Sequence, residues 1–388
     1  MENFGDIKDN VAVVGVGHTQ YAPRLGRSSM DLISEALESA LLDCGLTKQD
    51  LDGACSLSGR QSPDIETQAK ILGLNLEWYA QASSHSSQST GVIQWAAFAL
   101  HYGLAKYVAC IIGQGRDPEN PFPRDGGAFD TRVDEDDYAP YGMTSPGAGA
   151  ALALRRYFYK YGATSEQLAE ICIASRKYAA LNPNAILRQP LTVDSYLSSR
   201  YICEPLRRWD YSLTNHGAAC LILTTTERAR DLKQPPVYLI GMQGVASGPR
   251  HYPLGPDGLG LLQQQESIPD THPRDLKIYQ TSQILPQDVD VLYIFDPFSF
   301  FVWTGLERFG FCKPGEASTF TQGGRIEPGG EFPINTNGGL LSEAHLSGWN
   351  HQIELVRQLR GECGQRQVAG AEIAMWINYN GDALVYRR

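Results

Sequence analysis

The sequence has no stretch of about 18 or more apolar residues, so a membrane-spanning helix is not expected. No run of lysine and arginine stands out either. Acidic and basic residues are mixed along the chain, and the formal net charge is -10. The phosphate-neutralising stripe of a nucleic-acid binder is missing, which excludes nucleic acid as an expected partner. No C-x-x-C pair occurs among the eight cysteines, which stand at Cys44, Cys55, Cys110, Cys172, Cys203, Cys220, Cys312 and Cys363. That spacing suggests neither a metal site nor a disulfide framework, and most of them sit in apolar runs that suit reduced core thiols. The opening Met1-Glu-Asn-Phe-Gly-Asp6 has neither the basic start nor the apolar core of a signal peptide. A cytoplasmic protein is expected.

What is present is material for a large core. Of the 388 residues, 42% are hydrophobic and 20% charged, enough for one large core or two medium ones. Val11-Ala-Val-Val-Gly15 reads as a buried strand. From Ser29 to Cys44, apolar residues at Leu32, Ile33, Ala36, Leu37, Ala40 and Leu41 have the spacing of one buried helix face. Leu46-Thr-Lys-Gln-Asp-Leu-Asp52 follows. The same order returns later: strand-like Pro236-Val-Tyr-Leu-Ile-Gly241, then Ile284-Leu-Pro-Gln-Asp-Val-Asp290, then strand-like Val291-Leu-Tyr-Ile-Phe295. A Leu/Ile-x-x-x-Asp-Leu/Val-Asp turn in both halves points to a duplicated α/β architecture rather than two unrelated units. Helical patterns at Ala150 to Tyr161 and Ser165 to Tyr178 lie between them, and Gly248 to Gly260 is expected to be a surface excursion. The 39 glycines and 22 prolines suit many short connections rather than a helical bundle.

Three stretches carry a family likeness. The first is Pro140-Tyr-Gly-Met-Thr-Ser-Pro-Gly-Ala-Gly-Ala-Ala-Leu-Ala-Leu-Arg-Arg156, continuing to Tyr161-Gly-Ala-Thr-Ser-Glu-Gln-Leu-Ala169. The second is Ser199-Arg-Tyr-Ile-Cys-Glu-Pro-Leu206, with Asn215-His-Gly-Ala-Ala219 and Thr226-Glu-Arg-Ala-Arg-Asp231 after it. The third is Asn335-Thr-Asn-Gly-Gly-Leu-Leu-Ser-Glu-Ala-His-Leu-Ser-Gly348. Together they resemble the thiolase superfamily in its sterol-carrier-type, lipid-transfer branch, nearly end to end from Val11 to Val385. The resemblance implies an α/β thiolase fold, two similar halves in five layers (αβαβα) with an inserted loop domain. The halves would be 1–235, with a loop domain at about 115–215, and 236–388.

Thiolases that resemble this chain use two cysteines. The first, at a helix N-terminus that favours a thiolate, matches about Ser86 within Ser83-Ser-His-Ser-Ser-Gln-Ser-Thr90. A serine there needs an adjacent base to attack, and these serines also suit helix capping. The second matches Ala374-Met-Trp-Ile-Asn-Tyr-Asn-Gly-Asp382, again without cysteine, and Cys363 is a poor substitute. His345, at the histidine position of the Gly-Gly…His motif, is retained and suits acid/base work or donation to a thioester oxygen. Where thiolases place asparagine or histidine, and aldolase relatives tyrosine, this chain has Phe295. Catalytic candidates are therefore His345, Ser86, Tyr293 and Tyr379, with Ser87, Tyr141, Phe295, Gly338, Gly339 and Ser347 expected at the substrate.

The resemblance implies action on acyl-CoA esters, and three readings stay open. One is a carbon–carbon lyase (aldolase) that splits a β-hydroxyacyl-CoA by retro-aldol cleavage, as some relatives do on sterol side chains. It needs no covalent nucleophile. The second is an acyltransferase or thiolase with Ser86 or Ser87 as nucleophile and His345 as base. The third is a non-catalytic acyl-CoA-binding subunit. No cofactor bound to the chain is expected; coenzyme A would enter as part of the substrate. With no Walker-type or G-x-G-x-x-G loop to cradle its phosphates, scattered basic residues such as Arg176 or Arg207 would have to serve. The family further implies a homodimer and a small OB-fold, zinc-ribbon partner protein that completes the CoA site.

Overall fold

The computed structural model describes residues 7–58, 63–83, 88–115, 146–244, 276–379 and 381–388. Its first half runs β1 (Val11–His18), α1 (Ser29–Cys44), β2 (Gly53–Ser58), α2 (Ile65–Leu72), β3 (Trp78–Ser83), α3 (Gln88–His101) and β4 (Tyr107–Gln114). There follow α4 (Pro146–Tyr161), α5 (Ser165–Leu181), α6 (Val193–Leu197), the short pair β5 (Tyr201–Cys203) and β6 (Leu206–Arg207), β7 (Gly217–Thr225) and α7 (Thr226–Ala229). The second half comprises β8 (Val237–Gln243), α8 (Lys277–Ser282), β9 (Val291–Ile294), α9 (Phe300–Arg308), α10 (Ala317–Phe320), α11 (Trp349–Arg360), β10 (Ile373–Ile377) and β11 (Ala383–Arg387).

The α1 helix shows why these residues form these elements. All six apolar positions read from its spacing are buried. Ser28 caps its start in a reciprocal box with Asp31, and Gly45 ends it in the left-handed region at φ 78. The helix lies so close on β1 that a Cβ on Gly17 would stand 2.2 Å from the Ala36 carbonyl. Alternate residues of β1 then serve two cores: Ala12 and Val14 pack under α1, whereas Val11 and Val13 join the larger central core. The α4 helix starts earlier than its apolar spacing suggests, because Gly147 and Gly149 fill its first turn. The stretch 248–260 and residues 116–145 of the expected loop domain lie outside the described residues.

The strands form one nine-stranded sheet, β3-β2-β4-β7-β1-β8-β11-β10-β9. Its centre is a thin seam: β1 meets β8 through Ala12↔Tyr238 and Val13↔Val237. On either side the same pattern repeats. β2 is parallel to β4, and β4–β7 and β7–β1 are antiparallel. Likewise β9 is parallel to β10, and β10–β11 and β11–β8 are antiparallel. Ile334 bridges Leu292 in parallel and takes the place that β3 holds in the first half.

The repeated acidic turn has the same job in each half. Asp50 accepts from the Thr47 amide, and Asp288 from the Leu285 amide, each at 2.8 Å. Two residues on, Asp52 ties the amides of Lys106 and Tyr107 at the start of β4, and Asp290 those of Glu372 and Ile373 at the start of β10. In the layers, α1 covers the outer face of the first half, while α8 and α9 cover that of the second. Helices α3 and α11 lie between, and α11 packs on strands of both halves.

Candidate active site

The segment Asn335–Gly348 is held by its own polar side chains. Asn335, at φ 50, pairs with the backbone of Ile294: its Oδ1 accepts from the amide at 2.8 Å and its Nδ2 donates to the carbonyl at 2.9 Å. Gly338 turns at φ 104 and leaves no room for a Cβ, which would stand 2.8 Å from that of Ala179. Gly339, at φ 63, is tighter still: its Cβ would meet the Asp296 carboxylate at 2.2 Å. The chain then winds one π turn, Gly339–Glu343, into His345. Buried Glu343 accepts from the side-chain amides of Asn182 and Asn350 at 2.8 Å each, and from that of Asn337. Burial and then the nearby Glu354 charge push its pKa up to about 7, against the three amide donors. After His345, Ser347 at φ 50 and Gly348 at φ 83 turn the chain into α11.

His345 is therefore delivered by a turn, and residues far away in sequence hold it. The Asn215 side chain accepts from the His345 amide at 2.6 Å, and the Ser212 hydroxyl lies 3.1 Å from Nδ1. The ring keeps part of its surface open, but its surroundings are desolvating enough to pull its pKa down to about 4. At neutral pH it is an uncharged imidazole, with Ser212 holding the ring at Nδ1. Its ring meets the Phe295 ring edge-on, 6.0 Å between centroids. Phe295 in turn packs on Tyr379 at 6.1 Å and Trp376 at 6.2 Å, and Tyr379 on Phe301 at 4.0 Å. So His345, Phe295 and Tyr379 converge from three segments, while Gly338 packs on Ala179 and Gly339 on Asp296, and Ser347 turns the chain two residues after His345.

Other expected residues fall elsewhere. Tyr293 is fully buried, and its hydroxyl is bonded to Thr336 Oγ1 at 2.7 Å in a network that also takes in Gln358 and Glu354. Two residues along a strand keep it on the face of Phe295, but its polar atom is committed to that network. Ser86, Ser87 and Tyr141 lie outside the described residues. Arg176 is occupied internally, donating to Ser342 and to the Gln189 carbonyl and stacking on Trp209. Arg207 bonds the Ser199 carbonyl and Tyr201.

Sequence reasoning missed four groups: Ser212, Asn215, Asp296 and His351. Asn215 stood in a recognised stretch, without a role. His351 is fully buried on α11, its Nε2 3.4 Å from Asp296, which also accepts from the Leu340 amide at 2.8 Å. Burial pulls this histidine down to about 3 and pushes the Asp296 carboxyl up. Among the described residues no group of three or more His, Cys, Asp or Glu is placed to hold a metal ion. No described helix is long and apolar enough to cross a membrane.

Two halves of one strand order, with helices between them and a histidine turn facing two strand ends, define a thiolase-type fold. Residues 276–384 match the family described as thiolase C-terminal domain-like. A steroid side-chain-cleaving aldolase of Thermomonospora curvata is 33% identical, with 90% of this chain and 90% of that protein covered. A 17-hydroxy-3-oxo-4-pregnene-20-carboxyl-CoA lyase of Mycobacterium tuberculosis is also 33% identical, over 94% and 95%. The solved structure of an Ltp2-ChsH2(DUF35) aldolase superposes with a TM-score of 0.86, at 30% identity and 98% coverage of both chains. The chain belongs to the thiolase superfamily, in the branch that holds the steroid side-chain aldolases.

Proposed function

We propose that this protein is a carbon–carbon lyase that splits a β-hydroxyacyl-CoA by retro-aldol cleavage in steroid or similar side-chain degradation. The observation that carries the reading is the 33% identity, nearly end to end, to an aldolase and to a CoA lyase. The site supports it. None of the three segments that meet at His345 contains a cysteine, and neither does Ser83–Thr90. Retro-aldol cleavage needs none. It requires a base for the β-hydroxyl proton and hydrogen-bond donors for the thioester enolate that departs. A neutral His345 against the Phe295 ring suits the donor role, and Tyr379 packs on the same ring.

Coenzyme A takes part as a piece of the substrate under this reading. A solved aldolase of this fold is described together with a DUF35 protein, which supports a small OB-fold, zinc-ribbon partner here as well. We further propose a homodimer, to be checked by light scattering with the partner present. The purified chain, with and without such a partner, is to be assayed on β-hydroxyacyl-CoA and β-ketoacyl-CoA. Release of an aldehyde or ketone without added CoA is the expected result. CoA-dependent cleavage of the β-ketoacyl ester would make it a thiolase. Binding of both esters without turnover would make it a non-catalytic subunit.

A further inference from the structure

We infer that Asp382 is the base of this reaction, taking the β-hydroxyl proton and returning a proton to the departing carbon. The inference rests on the retro-aldol reading and names a residue for its open role.

Asp382 closes the hairpin between β10 and β11, where the Asn378 amide donates to its carbonyl at 3.0 Å. Register fixes where its side chain goes. Trp376 pairs with Leu384 across the hairpin and with Tyr293 across the parallel pair, so Trp376, Asn378 and Asp382 share the face of Tyr293 and Phe295. That is the inner face, on which His345 packs through Phe295. The first turn of α3 reaches the same place: a Cβ on Gly348 would stand 2.8 Å from the Trp376 ring and 3.2 Å from Ser89 Oγ.

The chemistry gathered there is unusual for a core. Asp382 is fully buried, and among the described residues its carboxyl oxygens make no close hydrogen bond, although the Thr90 hydroxyl and the Asn378 side chain approach them as donors. Among the described residues the buried Ser89 hydroxyl and the Trp376 indole nitrogen likewise have no close partner. Buried polar groups are almost always paired, and a carboxylate with no close donor is costly to keep charged. Such a cluster beside an acid/base histidine is what a polar substrate group would complete. Facing the carboxylate are the Thr90 hydroxyl from α3, the Arg308 guanidinium from α9 and the Asn378 side chain from its own hairpin. Gln243 of β8 donates to the neighbouring Gly381 carbonyl. Burial outweighs these groups and raises the carboxyl to about 7, a value suited to a base at neutral pH.

The step balances without a co-reactant. The Asp382 carboxylate takes the β-hydroxyl proton, and the O–H electron pair becomes the new carbonyl bond. The Cα–Cβ pair leaves as the thioester enolate, held by His345. The proton on Asp382 then passes to Cα, giving a shorter acyl-CoA and regenerating the carboxylate.

The test is Asp382→Asn, which keeps the shape and removes the charge, assayed with the full chain and its partner on β-hydroxyacyl-CoA. We expect kcat to fall by about 10²-fold or more, with little change in KM. The acidic limb of the kcat–pH profile, near 7 in the parent, disappears. Thr90→Val, which removes a group favouring the charged carboxylate, moves that limb to higher pH. An Asn variant that melts like the parent and keeps its kcat and its limb would overturn the assignment alone. If that variant does not fold, an unmoved limb in Thr90→Val overturns it. A parent that cleaves no β-hydroxyacyl-CoA would overturn both the assignment and the reaction.

Discussion

At the scale of single residues, the proposed mechanism depends on an imidazole that stays neutral. Its depressed pKa of about 4 keeps His345 uncharged across the physiological range. His345→Ala should lower kcat by about 10²-fold or more while the melting temperature changes little, measured by steady-state kinetics and thermal denaturation. A variant at full activity would remove His345 from the mechanism. This histidine was legible because it sits in the most specific motif of the chain. Its supports were not, because Ser212 and Asn215 reach it from more than a hundred positions away, across the fold. Tyr293 shows the opposite failure. Strand alternation puts it on the correct face, but no sequence rule says that Thr336 takes its hydroxyl.

At the scale of elements, the Gly338–Gly339 turn is where packing and chemistry meet. Gly339→Ala would place a methyl against Asp296 in a left-handed backbone, at a cost of about 3 kcal/mol. Denaturant unfolding is the check, and an unchanged midpoint would contradict the turn's tightness. Glu343, on the same turn, gives a pH-dependent prediction. Its native pKa of about 7 lies above its ordinary 4.5, so the parent loses stability as pH rises through that window. Glu343→Gln has no such loss, and its stability relative to the parent should rise by about 1.4 kcal/mol per pH unit there. A constant difference from pH 4.5 to 7 would contradict it. The twin acidic turns were legible as a pattern, and the structure gives them a shared cause: Asp52 and Asp290 each anchor the start of the neighbouring strand.

At the scale of the molecule, the halves repeat a strand order but are not independent. Helix α11 packs on both, and the large central core draws residues from each. Thermal unfolding followed by tryptophan fluorescence and by far-UV circular dichroism should therefore give one coincident transition. Two separated transitions would contradict a shared core. The duplication could be read from the recurring strand and turn, whereas the seam at Val13 and Val237 could not, since two pairs leave no mark on composition. The central claim is the reaction, and product stoichiometry without free CoA, in deuterated water, tests it most directly. One carbonyl product and one shorter acyl-CoA carrying a single deuterium at Cα should form for each β-hydroxyacyl-CoA consumed. Cleavage that waits for added CoA, and consumes one thiol per turnover, would contradict the account.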